Sequence, residues 1–427
     1  MRNIVLITLD SVRADHCSFM GYHRKTTPNI DKLADRGIVF KNAIAPAPRT
    51  VPSMPQIFTG KLMKFKGVIG SKSEDVGWRK DTIYHLRQNR TIPEILSGEG
   101  YSTGAFCCNP YTSRYFGFDK GFDYFQDFFF SKKSHQKIFE RMIKGSKLFS
   151  YIRNVQNLFL KREAFKTWES YYNEIIEWIG KAKKPFFLWV FLLDTHLPWI
   201  VPRRFRKWSN FIDMYYSGWK IFKLMKKQNV NIPEKVRKKL IDAYDSSIYY
   251  ADAFIGRLQK DLSDYDPVFV IHSDHGEEFG ERGSYGHYYP HLHEENIHVP
   301  LIVGNVDERE EIEKPVSLLN LSKIILNVVN NSFLVDSFLN ETDWIISKDF
   351  YYKRRREVIA LRIKDWKFIT GQKDTDELYN LGQDPTEQEN LIDKYPKLAN
   401  EMRKIVKILK KREKGGMEGE IQLRRIA

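Results

Sequence analysis

Residues 3–15 read NIVLITLDSVRAD, and the run from 3 to 9 is continuous, rich in β-branched side chains, and stops at Asp10. A run with no period-two alternation is what a strand covered on both faces requires, because neither face can be given up to water. The next stretch, TTPNIDKLADRG (26–37), predicts a helix with Thr27 as its N-cap, Pro28 at the first helical position, Leu33 packed inward and Gly37 as its stop. IVFKNAIA (38–45) then reads as a second strand, which makes strand, helix, strand, the opening of a parallel sheet. The same alternation recurs in TIPEILSGEG (91–100, helix), YSTGAFCCN (101–109, strand), WESYYNEIIEWIGKA (168–182, amphipathic helix) and PFFLWVFLLD (185–194, buried strand). A long helix over 234–262 leads to DPVFVIHSD (266–274), another strand ending in Asp. The expected fold class is α/β, a large central mixed sheet sandwiched by helices.

After about residue 345 the pattern changes to short strands of alternating polarity, EVIALRIKDWKFITG (357–371) and DELYNLGQDPTEQENL (376–391), followed by a Lys-rich helix. This predicts a catalytic domain over 1–344 and a small antiparallel subdomain over 345–427, with a closing helix and a mobile tail from 412.

At 427 residues, with 42% hydrophobic and 14% aromatic content, the chain can bury a large core. The three cysteines, Cys17, Cys107 and Cys108, form no C-x-x-C pair, which excludes a disulfide scaffold or a cysteine-built zinc site. The apolar run at the N-terminus is about six residues, too short for a signal peptide or spanning helix, so a cytoplasmic protein is expected. The net charge of +15 is uneven: residues 132–166 carry ten Lys/Arg against two Glu, and 203–227 carry eight against one Asp, both interleaved with aromatics. Solvated helix faces account for such stretches, and so does peripheral contact with an anionic membrane surface. No nucleic-acid motif accompanies the charge.

Three buried runs end in acidic or His-containing loops: Asp10, Asp194-Thr195-His196 and Asp274-His275. In open α/β sheets ligands bind beyond the carboxyl ends of the strands. Any one of these Asp residues could merely cap the next helix, but two carboxylates and an imidazole from separate strand ends match the ligand set of a catalytic divalent cation. Five of the eleven histidines, including His287, His291 and His293, fall between 272 and 293, and His298 follows. PAPRTVPSMPQIFTG (46–60) sets Thr50 and Ser53 in a proline-stiffened frame where a helix starting just after Pro52 would aim its amides at an anion. Thr50 as a cap and Ser53 as the nucleophile remain alternatives on the residues alone.

The segments NIVLITLDSVRAD, GYHRKTTPNIDKLADRGIVFKNA, FLLDTHLPW, SDHGEEFGERGSYGHYYPHLHEENIHVPLIV and ELYNLGQDPTEQENL, in that order, resemble the sulfatase branch of the alkaline phosphatase superfamily across nearly the whole chain. The resemblance implies a small C-terminal four-stranded sheet and one or two metal ions held by Asp10, Asp274, His275 and Thr50, with Thr50 as nucleophile. It also implies that His196 serves the substrate or leaving group and that His287 stands where many members have a Lys for the ester oxygens. Arg13 is a further candidate for balancing charge, or a tie between the first loop and the core.

Two departures bear on the chemistry. Sulfatases of the family carry C-x-P-x-R or its Ser variant, converted to formylglycine; here Thr50 occupies that position and Met54 replaces the Arg. Ser11 stands where calcium-dependent members have a second Asp, and the Asp274-His275 pair resembles manganese or zinc members acting on phosphoesters. The expectation is a metal-dependent (Mn, Zn or Ca) hydrolase of sulfate or phosphate esters with a Thr nucleophile. The alternatives are a phospho-headgroup transferase, which like a phosphodiesterase of this type would pass through phospho-threonine, and a non-catalytic anion-binding relative.

Overall fold

The computed structural model describes residues 1–65, 74–128, 167–330, 344–351 and 355–413. At its centre β1 (Ile4–Leu9) is buried at every position, as are β6 (Phe186–Leu192) and β7 (Val268–Ser273). The eight-stranded sheet runs β12-β2-β11-β7-β1-β6-β4-β5, with β2 at Gly37–Phe40, β4 at Ser102–Cys107, β5 at Tyr124–Asp127, β11 at Leu301–Gly304 and β12 at Glu310–Ile312. Strands β7, β1, β6, β4 and β5 are mutually parallel, so their carboxyl ends open on one edge; β11 is antiparallel to both β7 and β2 and makes the sheet mixed. The segment 38–45 is not one strand but two, since β3 (Ala43–Ile44) leaves for a second sheet with β10 (His298–Val299) and β13 (Val316–Ser317).

The first helix, α1 (Pro28–Ala34), has Thr27 at its N-cap position and Pro28 at its start and buries Ile30 and Leu33, but the Thr27 side chain makes no capping bond. Thr27 is occupied by Ser18 and Asp31, and the free amides of Asn29 and Ile30 donate instead to the buried carboxylate of Asp252, 2.9–3.0 Å away. Gly37 is likewise no helix stop: it opens β2, where a Cβ would lie 2.4 Å from the Val303 carbonyl oxygen. Because Asp252 meets two helix-start amides and the Asn29 side chain, Asp252→Ala is expected to destabilise the fold by about 2–3 kcal/mol in denaturant titration, more than an exposed cap.

Next come α2 (Thr50–Thr59), α3 (Glu74–Gln88), α4 (Ile92–Gly98), α5 (Tyr172–Lys181), α6 (Phe211–Leu224), the 28-residue α7 (Glu234–Asp261) and α8 (Leu321–Val329). The C-terminal sheet is β14 (Trp344–Tyr351), β15 (Arg356–Ile363), β16 (Trp366–Thr370) and β17 (Glu377–Asn380), all antiparallel, with α9 (Pro396–Glu413) beside it. Its strands are not half polar as the sequence suggests. Ile359, Leu361 and Ile363 join a small core with Phe368 and Met402, while the alternate Val358 and Ala360 join the main core, so both faces are covered. Strand β14 also grips the loop before α2: Lys348 N donates to Pro46 O, Ser347 Oγ to Ala45 O, and Asp349 pairs with Arg49 at 2.7 Å. Residues 412 and 413, expected in the tail, belong to α9; the rest of the tail, from 414, and the basic stretch 132–166 lie outside the described residues.

Candidate active site

Helix α2 begins at Thr50 itself, with Arg49 extended before it, so the Thr50 side chain is not the cap. Pro52 has no amide and Ser53 N is taken by Arg49 O, which leaves the amides of Thr50 and Val51 as first-turn donors without an intrahelical acceptor. The Thr50 hydroxyl lies 3.2 Å from His275 Nε2. Ser53 is spent elsewhere, its hydroxyl donating to the Asp274 carbonyl at 2.6 Å inside a fully buried site.

Asp10 follows β1, and Asp274 and His275 follow the neighbouring β7, so parallel pairing brings them together. Ser11, in a left-handed turn at φ 54°, returns its amide to Asp274 Oδ1 at 3.1 Å. His275 Nδ1 donates to Gly276 O at 2.8 Å, because a carbonyl can only accept, and this turns the Nε2 lone pair toward Asp10 Oδ1 (3.8 Å) and Asp274 Oδ2 (3.5 Å). Both of those carboxylate oxygens are buried with no hydrogen-bond donor. One ligand atom from each of the three residues lies within 4.8 Å of the others. Burial, and then the charge of Asp274, pushes the Asp10 carboxyl well above the usual carboxylate range. Two donorless carboxylate oxygens facing an imidazole lone pair are mutually repulsive unless a proton or a metal cation lies between them, and the set fits a divalent metal ion.

Two further groups border this cluster. His196 Nδ1 donates to Leu197 O at 2.7 Å, and its ring lies 5.1 Å from that of His287, which in turn lies 4.6 Å from His275. Burial lowers the His196 imidazole and takes His287 down to about 3, the nearby His196 adding to the shift. His287 Nδ1 meets Glu277 Oε1 at 3.0 Å, and burial pushes the Glu277 carboxyl up to about 8. The structure thus gathers Asp10, Thr50, His196, Asp274, His275 and His287.

Arg13 stands apart. Its guanidinium is divided among Asp15 (2.7 Å), Glu281 (2.6 Å) and the Glu277 carbonyl, which makes it the tie between the first loop and the core rather than a charge-balancing group. Asp194, one of the three strand-end acids, receives the Trp168 amide at 3.2 Å ahead of α5. The histidine cluster also divides. His272 lies within the sheet against Thr8, His291 pairs with Glu278, His293 meets Gln372 of the C-terminal part, and His298 bonds Lys41 O.

Two residues escaped the sequence reading. Asn109, just past β4, donates to Asp10 Oδ2 at 2.7 Å while its own carbonyl accepts the Tyr111 amide. Glu277 orients His287 from three residues past Asp274. Asn109→Ala removes the donor that holds Asp10 and is expected to weaken divalent metal binding about 10–100-fold in calorimetric titration.

A family model described as Sulfatase matches residues 2–332. An arylsulfatase of Clostridium perfringens is 25% identical over 98% of this chain and 96% of its own, and a sulfatase of Formosa agariphila is 25% identical over 90% and 82%. The phosphonate monoester hydrolase of Agrobacterium radiobacter superposes with a TM-score of 0.69, covering 96% of each chain at 16% identity.

Proposed function

The chain belongs to the sulfatase family of the alkaline phosphatase superfamily and is a sulfatase-like hydrolase, and from that premise we propose that it cleaves sulfate, phosphate or phosphonate esters with Thr50, not formylglycine, as nucleophile. The observation that carries this reading is the Thr50 hydroxyl at the first turn of α2, 3.2 Å from His275 Nε2 and above the buried Asp10–Asp274–His275 group. Asp10, Asp274, His275 and Thr50 would hold the metal ion, and an imidazole in the set favours manganese or zinc over calcium. When bound, such an ion supplies Lewis acidity that acidifies a coordinated hydroxyl and offsets charge on the ester oxygens.

The protein's own groups do the rest. Thr50 Oγ, held rigid by the proline frame and by β14, approaches sulfur or phosphorus opposite the ester oxygen. The Oγ–S or Oγ–P bond forms as Thr50 gives up its hydroxyl proton to solvent and the ester bond breaks, the departing oxygen leaving with the bonding pair. The amides of Thr50 and Val51 face the non-bridging oxygens at the helix N-terminus. His196, its Nδ1–H spent on Leu197 O, has a lone pair at Nε2 in its neutral form; it takes up a solvent proton there and passes it to the departing oxygen. His287, oriented by Glu277, presents its ring to the same oxygens. Water then attacks the sulfo- or phospho-threonine and regenerates Thr50.

The test is a screen of sulfate monoesters, phosphate monoesters, phosphate diesters and phosphonate monoesters against Mn²⁺, Zn²⁺ and Ca²⁺, with intact mass of trapped protein. Turnover with a threonine adduct supports the reading; turnover with the adduct on another residue, or none with any pair, overturns it.

A further inference from the structure

Helix α6 has an outer face that the catalytic fold does not use. Its inner face carries Met214, Ser217, Gly218, Ile221 and Leu224, all buried. Gly218 permits a close approach, since a Cβ there would fall 2.6 Å from the Pro198 side chain. At 100° per residue the opposite face centres on Ile212 and Trp219, with Phe222 at its edge, and these are 76%, 47% and 42% exposed. They are three of the eight large apolar side chains exposed among the described residues, gathered on one 14-residue helix.

Lys220, Lys223, Lys226 and Lys227 flank this face, and among the described residues none of the four pairs with a carboxylate; Lys223 lies 3.7 Å above the Trp219 ring. The one acid on the helix, Asp213, is neutralised by Lys239. A solvated helix face has no need of an exposed Ile, Trp and Phe. A polyanionic glycan would reward the lysines but not Ile212 or Phe222. Apolar and indole side chains ringed by lysines without carboxylate partners suit the boundary between anionic lipid headgroups and acyl chains.

The position of the helix ties this face to the active site. Pro198, packed on Gly218, closes the loop that carries His196. Beyond the helix, Lys226 O accepts from Tyr289 and Val230 N donates to Gly283 O, bonding the chain to the loop of His287. Both site loops therefore lie about one helix diameter, roughly 10 Å, from whatever covers the outer face.

We propose that the outer face of α6 seats on an anionic lipid surface, so that the enzyme works on ester groups presented there. The seating stands on the surface alone; only its consequence for substrate choice rests on the hydrolase reading. The test is co-sedimentation of the full chain with phosphatidylcholine vesicles containing or lacking 30% phosphatidylglycerol, together with turnover of a soluble aryl ester. Expected are binding at least tenfold stronger to the anionic vesicles, a further tenfold or greater loss in the triple variant Ile212→Ser, Trp219→Ser, Phe222→Ser, and unchanged turnover of the soluble ester by that variant. Equal binding to both vesicles, or full binding by a folded triple variant, overturns the proposal. So does binding to soluble dextran sulfate without vesicle binding, or a self-association that the triple variant abolishes in place of vesicle binding. Failure of soluble turnover in the wild type would instead count against the hydrolase reading and leave the vesicle result to stand.

Discussion

Thr50→Ala is expected to lower kcat by about 10⁴-fold or more on every ester the protein turns over, the scale on which loss of a nucleophile acts. The folded state should barely register the change. The Thr50 side chain is nearly buried, and its hydroxyl reaches His275 without capping the helix. The frame that positions it stays in place: Arg49 on Asp349, Lys348 N on Pro46 O, and Ser53 on the Asp274 carbonyl. Thr50→Ser keeps a hydroxyl on the same backbone and should retain measurable turnover. Ser53→Ala, by contrast, removes only a bond to a backbone carbonyl, so its cost falls mainly on stability. Steady-state kinetics with all three variants, with circular dichroism to confirm folding, separates the roles. Full activity in Thr50→Ala would remove Thr50 from the mechanism, and inactivity of Ser53→Ala in a folded protein would transfer the role to Ser53.

The parts of this site that the sequence displays are those where a local pattern is enough. β1 and β7 read as doubly buried strands, each ends in Asp, and parallel strands bring their ends to one edge whatever the detailed packing. Thr50 is visible through the prolines around it. Other residues depend on distant partners. The acceptor for the α1 amides, Asp252, lies 223 residues from Asn29, so no cap pattern near Thr27 could reveal it. Asn109 looks like an ordinary turn residue and does form that turn, while its other end holds Asp10. Glu277 resembles any surface acid in GEEFGE until the fold buries it beneath His287. Arg13 is close to Asp10 in sequence, but beyond the left-handed turn at Ser11 its guanidinium is committed to Asp15 and Glu281.

Asp10→Asn is expected to act with opposite sign on activity and on stability. In metal-free protein Asp10 Oδ1 is a fully buried carboxylate oxygen without a donor, facing Asp274 Oδ2 and the lone pair of His275 Nε2. Such a repulsion is the expected cost of an arrangement built to take a cation, and a site held in readiness for charge is strained when empty of it. Asn at position 10 keeps the shape. Its carbonyl oxygen can still accept from Asn109, and its amide then donates toward Asp274 or His275, turning a repulsive contact into a hydrogen bond. At a pH high enough to keep the raised Asp10 carboxyl ionised, the variant should therefore be more stable than wild type in EDTA, by about 1–3 kcal/mol, the cost of one unsatisfied buried polar group. The same change removes an anionic ligand, so affinity for Mn²⁺ or Zn²⁺ should fall at least about 100-fold, beyond the usual effect of losing a supporting residue, and turnover should fall with it. Denaturant titration with and without EDTA and calorimetric metal titration read the two effects independently. A variant that is both less stable without metal and unchanged in metal affinity would show that Asp10 serves the fold, and that the cation site lies elsewhere.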